Sequence, residues 1–230
     1  MHFQHSSEIW TAFPELVPGV IVAEGMHSDH SVLPQVAGYY RIAEERLGTG
    51  SESDLPEIQA WRRAFSRMGL KLTQYRCASE SLLRRFRKEG TLPHLHPLID
   101  LCNAISLAFA VPIAVFDVSR LTGSLEVRHA TGTETFGSFS GETEHPNAGE
   151  VIFVDDAGEA HARRWCHRQS ASSAVRDTTT VVLIVTEAMH ESAGIDIPRL
   201  LDTLGAEVER GWSITATTSL LSPSSPSATF

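Results

Sequence analysis

Apolar residues recur at three- and four-residue spacing through 33–47 (LPQVAGYYRIAEERL), which predicts a helix stopped by Gly48. The same period predicts helices over 55–68, carrying WRRAF, and over 79–88, with Ser79 as its N-cap. In 92–109 (LPHLHPLIDLCNAISLAF) a helix is expected from Pro97 onward, because proline suits a first turn and Leu98, Leu101, Cys102, Ile105 and Phe109 share one face. Asp100, Asn103 and Ser106 follow at intervals of three on the other side. A helix this apolar is buried almost all round, and an unpartnered polar side chain there costs about 1–3 kcal/mol. Asp100 and Asn103 therefore need partners, from neighbouring backbone or from a ligand.

The period then changes. GVIVAEG (19–25) reads as a short buried strand, and from 112 PIAVFDV, SLEVRHA, GEVIFVDDAG, EAHARRWCH and TTTVVLIVTEA read as strands separated by Gly, Asp and Ser turns. Residues 196–210 return to helix. The Ser/Thr/Pro-rich end is expected to be a disordered tail over 216–230, leaving 1–215 as a single domain. Helices first and strands later predict an α+β fold: a helical N-terminal portion packed on a mostly antiparallel, β-rich core.

Composition changes this picture little. The 230 residues are 42% hydrophobic and 20% charged, as in an ordinary globular chain. No run approaches the roughly 18 apolar residues of a membrane helix, and MHFQHSSEIW lacks a secretory pattern. No membrane partner and a cytoplasmic location are expected. The three cysteines, Cys77, Cys102 and Cys166, are too scattered for a disulfide framework or a zinc knuckle. A net charge of −9 argues against a surface that coats nucleic acid indiscriminately, and no DNA partner is expected. One basic stretch stands out: RRFRK at 84–88, either a solvated helix face or a local anion contact.

The candidate chemistry narrows by elimination. His94, His96 and Asp100 are ligand types found in catalytic zinc sites, yet H-E-x-x-H spacing is absent, as it is around His161, Cys166 and His167. No metal or other cofactor is expected. Cys102 lies mid-helix among leucines, where a thiol is desolvated and unreactive. G-x-S-x-G, P-loop and G-x-G-x-x-G patterns do not occur.

PLIDLCNAISLAFAVPIAVFD (97–117), followed by GEVIFVDDAGEAH (149–161) and SAVRDTTTVVLIVTEA (173–188), resembles the tRNA-binding and editing domain of the phenylalanyl-tRNA synthetase beta subunit. That domain hydrolyses tyrosine wrongly attached to the phenylalanine tRNA. Free-standing relatives of the domain are more similar still. Their pattern is met by WRRAFSRMG (61–69), ESLLRR (80–85), LPHLHPLIDLCN (92–103), RRW (163–165) and RQ (168–169), in order, so the resemblance spans roughly 8–190. It departs at Ala114, where the synthetase domain has a pocket histidine, at Cys102 for threonine, at Gln169–Ser170 for Gly-Gly and at Ala174 for glutamate.

The resemblance implies a protein that binds tRNA or aminoacyl-tRNA and hydrolyses the ester of a mischarged tRNA in trans. Asn103 would anchor the amino acid or orient water, and Asp100 would fix the helix or the substrate amine. Cys102 and Gln169 would border the pocket. Arg163, Arg164 and Arg168 would meet acceptor-end phosphates, Trp165 would stack on the terminal adenine, and Arg84, Arg85, Arg87 and Lys88 would hold the tRNA further out. The alternative is a non-catalytic module that binds an amino acid or aminoacyl-tRNA, favoured by the missing histidine and the altered loop. A third reading is a small metal-dependent hydrolase using His94, His96 and Asp100.

Overall fold

The computed structural model describes residues 1–48 and 50–230. In chain order they form β1 (His2–His5), α1 (Ser7–Ala12), β2 (Val17–Glu24), α2 (Leu33–Leu47), α3 (Pro56–Arg67), α4 (Ala78–Glu89) and α5 (Pro97–Phe109). Then follow β3 (Ile113–Asp117), β4 (Leu125–His129), β5 (Phe136–Gly137), β6 (Thr143–Glu144), β7 (Val151–Asp155), β8 (Ala160–Arg163), β9 (Arg168–Gln169) and β10 (Val181–Ala188). The chain closes with α6 (Ala193–Trp212), β11 (Ala216–Leu220) and β12 (Ser227–Thr229). The fold is α+β.

Two sheets organise it. One runs β12-β1-β4-β7-β8-β9 and the other β11-β2-β10-β3, with the short β5–β6 pair apart. All pairings are antiparallel except β1 with β4. The continuous run VVLIV in β10 is explained by burial on both faces. Val182 and Ile184 pack with Leu98, Leu101 and Ile105 of α5 and Ile197, Leu200 and Leu204 of α6. Leu183 and Val185 turn the other way, into a core shared with Phe3, Phe153, Trp61 and Trp165. Gly19 lets α6 approach β2, since a Cβ there would sit 2.9 Å from Ile197 and Leu201 side-chain atoms. No helix among the described residues is long and apolar enough to cross a membrane.

Some local expectations are corrected. Ser79 does not cap α4. Cys77 occupies the N-cap without a side-chain capping hydrogen bond, and Ser79 is the buried second residue of the helix, its hydroxyl 3.4 Å from the Cys77 sulfur. His94 and His96, grouped above as ligand types, are set apart: His96 is buried and accepts from the Leu98 N–H, whereas His94 projects outward. The 216–230 segment is not disordered. β11 pairs with β2, from Ala216–Ala23 to Leu220–Gly19, and β12 pairs with β1. Its threonines suit strands, and two open sheet edges supply the backbone partners that composition alone does not reveal. β1 also escapes a sequence reading. Phe3 and His5 point inward and His2 and Gln4 outward, but four residues are too few for a period.

Candidate functional site

The N-terminal half of α5 positions the first group of candidates. His96 caps the helix, Pro97 starts it, and Asp100 and Asn103 emerge half-buried toward α2 and the 91–95 segment. There they line a groove of about 310 Å³ with Val36, Tyr40, Thr91 and His94. Asp100 is held at both oxygens: one accepts from the Leu95 N–H at 2.9 Å, and the other is paired with His94 Nδ1. The His94 side chain is 73% exposed, so a solvent-facing imidazole is oriented by a nearly buried carboxylate. The Tyr40 hydroxyl accepts from the Leu92 N–H at 3.2 Å, which leaves its own proton available to the groove. Behind them Cys102 is buried in the helical core, and burial pushes its thiol far above the ordinary range. It packs in the core beside Leu98, Leu101 and Ile105.

The second group gathers at a seam. β3 is the edge of the four-stranded sheet and β9 the edge of the six-stranded one. The Gln169 amide donates to the Val115 carbonyl at 2.6 Å and so joins them. A cavity of about 60 Å³ lies there, bordered by Ala114, Trp165, Arg168, Gln169 and Glu187. That is room for one or two waters.

Two sequence expectations fail at this seam. Trp165 does not face a nucleotide. It is fully buried, edge-on to Phe13 at 4.8 Å and Trp61 at 5.3 Å, with its indole N–H donated to both oxygens of Glu187 at 3.0 Å. Arg163 does not face phosphates either. Its side chain is 4% exposed and spans Glu144 at 2.6 Å and Glu150 at 2.9 Å. The cause is a turn with two consecutive left-handed residues, Arg164 (φ 46°) and Trp165 (φ 60°). Each costs roughly 1–2 kcal/mol in a residue other than glycine. Burying the indole stabilises that geometry, and Glu150 accepts from the Arg164 N–H at 3.1 Å.

The remaining arginines separate by partner. Arg168 pairs with Glu144 at 2.9 Å and is half-exposed. Arg84 and Arg87 face the buried Glu52 at 3.7 and 3.0 Å, and Arg85 pairs with Glu89 at 2.8 Å. Much of the RRFRK charge is thus matched, and it sits on the outer face of α4, outside the groove lining. Arg164 differs: it forms no ion pair among the described residues, and its guanidinium lies 4.6 Å from the Tyr75 ring centroid. The two border a cleft of about 260 Å³ with Asn147. Sequence reasoning missed Tyr75, which no motif distinguishes from a core aromatic.

One arrangement copies a hydrolase triad in composition only. His161 meets Ser173 Oγ at 2.9 Å and Asp155 at 3.3 Å, but His161 and Ser173 have no exposed surface. Burial lowers the His161 pKa, the nearby Asp155 opposing it. The trio ties the 170–175 loop to the sheet.

A profile of the B3/4 domain matches residues 60–199, more than half of the chain. The phenylalanine–tRNA ligase beta subunit of Cereibacter sphaeroides is 33% identical over 76 residues, and that of Coxiella burnetii 29% identical over 113. These matches take in 33% and 49% of this chain but only 9% and 14% of those proteins, so the chain spans a small part of its curated relatives. Among solved structures, an N-terminal fragment of the phenylalanyl-tRNA synthetase beta subunit from Pyrococcus horikoshii has a similar fold. Its TM-score is 0.53 at 11% identity, over 93% of this chain and 49% of that one.

Proposed function

We propose, on the premise that this chain belongs to the B3/4 domain family and is a phenylalanyl-tRNA synthetase beta subunit-like domain, that it binds an aminoacylated tRNA end and hydrolyses the ester bond. The observation that carries this reading is the convergence of the His94–Asp100 pair and the Asn103 amide on one solvent-open groove. Its 310 Å³ falls at the lower end of the about 300–1,000 Å³ usual for small-ligand sites. The seam cavity is far smaller.

In this mechanism Asp100 fixes the ring through Nδ1, leaving Nε2 of His94 to take a proton from water. The water oxygen attacks the ester carbonyl carbon. The Asn103 amide donates to the carbonyl oxygen as it gains charge. The C–O bond to the ribose then breaks, and the proton on His94 passes to the departing ribose oxygen. Free amino acid and uncharged tRNA result. The Tyr40 hydroxyl donates to the amino-acid portion. Arg164 stacked on Tyr75 offers a platform for an unpaired base further along the RNA.

A second reading, a non-catalytic module for aminoacyl-tRNA, is favoured by Ala114 at the pocket-histidine position beside the 60 Å³ cavity. A panel of tRNAs charged with correct and incorrect amino acids distinguishes the two. Ester loss from one class, abolished by Asn103→Ala, supports hydrolysis. Retention of every ester with measurable binding supports the module. Failure to bind charged tRNA at low salt overturns both.

A further inference from the structure

Away from the groove, three chain segments bring metal-ligand side chains together. Glu57 lies in the first turn of α3, His190 in the link between β10 and α6, and Asp196 in the first turn of α6. One ligand atom from each falls within 4.8 Å of the others, the one such grouping among the described residues. Neither His94 with His96 nor His161 with Cys166 makes one.

The hydrogen bonding around the cluster is lopsided. Arg46 donates to Glu57 Oε1 at 2.7 Å, and His190 Nε2 meets Asp196 Oδ2 at 2.9 Å. Ser192 also donates to Asp196 Oδ2 at 2.6 Å. The second Glu57 oxygen and the second His190 nitrogen are both buried with no hydrogen-bond partner. Twelve buried side-chain nitrogen and oxygen atoms lack a partner among the described residues, and two of them meet in this one cluster of ligand types. Glu57 and His190 are more than nine-tenths buried. Ligating carboxylates are characteristically held from behind by such outer hydrogen bonds, which Arg46 gives Glu57 and Ser192 gives Asp196.

We propose that Glu57, His190 and Asp196 bind a divalent transition-metal ion, with zinc the best fit. One imidazole and two carboxylates suit zinc, whose ligands lie about 2.0–2.2 Å away, so small rotamer shifts draw the three atoms inward on binding. Magnesium and calcium are poor fits, because they favour an all-oxygen shell. Glu57 reaches the ion through Oε2 and keeps Arg46 on Oε1. The bound ion cross-links the start of α3 to the β10–α6 corner, and its role is to fasten helices that no disulfide joins. This inference is independent of the proposed hydrolysis.

The test uses the full chain without a histidine tag, stripped by chelator and dialysed against zinc, magnesium or calcium. Elemental analysis should find one zinc per chain, with magnesium and calcium absent, and zinc should raise the melting temperature. His190→Ala and Glu57→Gln should each weaken zinc binding by about tenfold or more, whereas His94→Ala should retain it. Glu57→Gln preserves side-chain shape and the Arg46 bond, and circular dichroism establishes that each variant is folded. Absence of stoichiometric zinc from the wild-type chain overturns the proposal. So does zinc that persists in folded Glu57→Gln, or that is lost only in His94→Ala.

Discussion

Trp165 and Glu187 are bound to each other in the middle of the core, the indole N–H bridging both carboxylate oxygens at 3.0 Å. His5 Nε2 reaches the same carboxylate at 2.6 Å. Trp165→Phe keeps an aromatic ring but leaves Glu187 without the indole donor. The expected loss of stability is about 1–3 kcal/mol in urea unfolding, with tRNA binding unchanged when measured on the folded variant.

Tyr75→Ala and Arg164→Ala should do the reverse. Both remove the platform beside the 260 Å³ cleft. Binding of single-stranded acceptor ends should weaken by about 1–3 kcal/mol for the tyrosine, read by fluorescence anisotropy, while melting temperature moves little.

Arg163 and Arg168 touch the same Glu144, yet their removal should differ in cost. Arg163→Ala strands the buried Glu150 and should lose about 3 kcal/mol or more. Arg168→Ala breaks an exposed pair and should lose less than about 1 kcal/mol. Parallel denaturant titrations of the two variants make the comparison.

In the groove, His94→Ala should lower ester hydrolysis by about 10²–10⁴-fold, the usual contribution of a general base. Asn103→Ala should lower it by about 10²–10³-fold, as loss of a carbonyl donor does. Single-turnover rates on charged tRNA measure both, and unchanged rates in both variants would place the chemistry elsewhere.

Stability should fall with acid in two stages. Burial holds the His161, His167 and His96 pKa values below the ordinary 6.5. The unfolded chain therefore binds more protons in that window, and stability present above pH 6.5 declines as pH drops below it. The second stage begins below about pH 4.5. Burial acts to raise the Glu134 pKa, but the Thr131 and Gly132 N–H groups and Arg128 outweigh it and set it at about 2. Glu144, held down first by Arg168, and Glu150, where Arg163 outweighs burial, add to the same acid loss. Thermal melts across pH trace both stages, and His161→Gln should shrink the first.

Periodicity made the helices legible. α2 and α5 fall where three- and four-residue spacing puts them, because each buries a continuous apolar face. Asp100 and Asn103 were legible as polar exceptions on an apolar helix, and the structure brings them to one groove. The partner of Asp100 was not. His94 and His96 look equivalent in sequence, and only the cap geometry of His96 separates them. Trp165 and Arg163 were misread for a related reason. A motif records residue type, whereas the left-handed turn decides which side chain faces the core.

The C-terminal strands carry a practical consequence. A chain ended at residue 215, where composition alone marks a boundary, would strip β11 from β2 and β12 from β1. Two runs of backbone N–H and C=O groups would face water, one of them along the apolar VIVA of 20–23. Exposed edges of that kind recruit other chains. The shortened protein should self-associate into β-rich aggregates, because the Thr/Ser-rich edge that β11 presents would be exchanged for an apolar one.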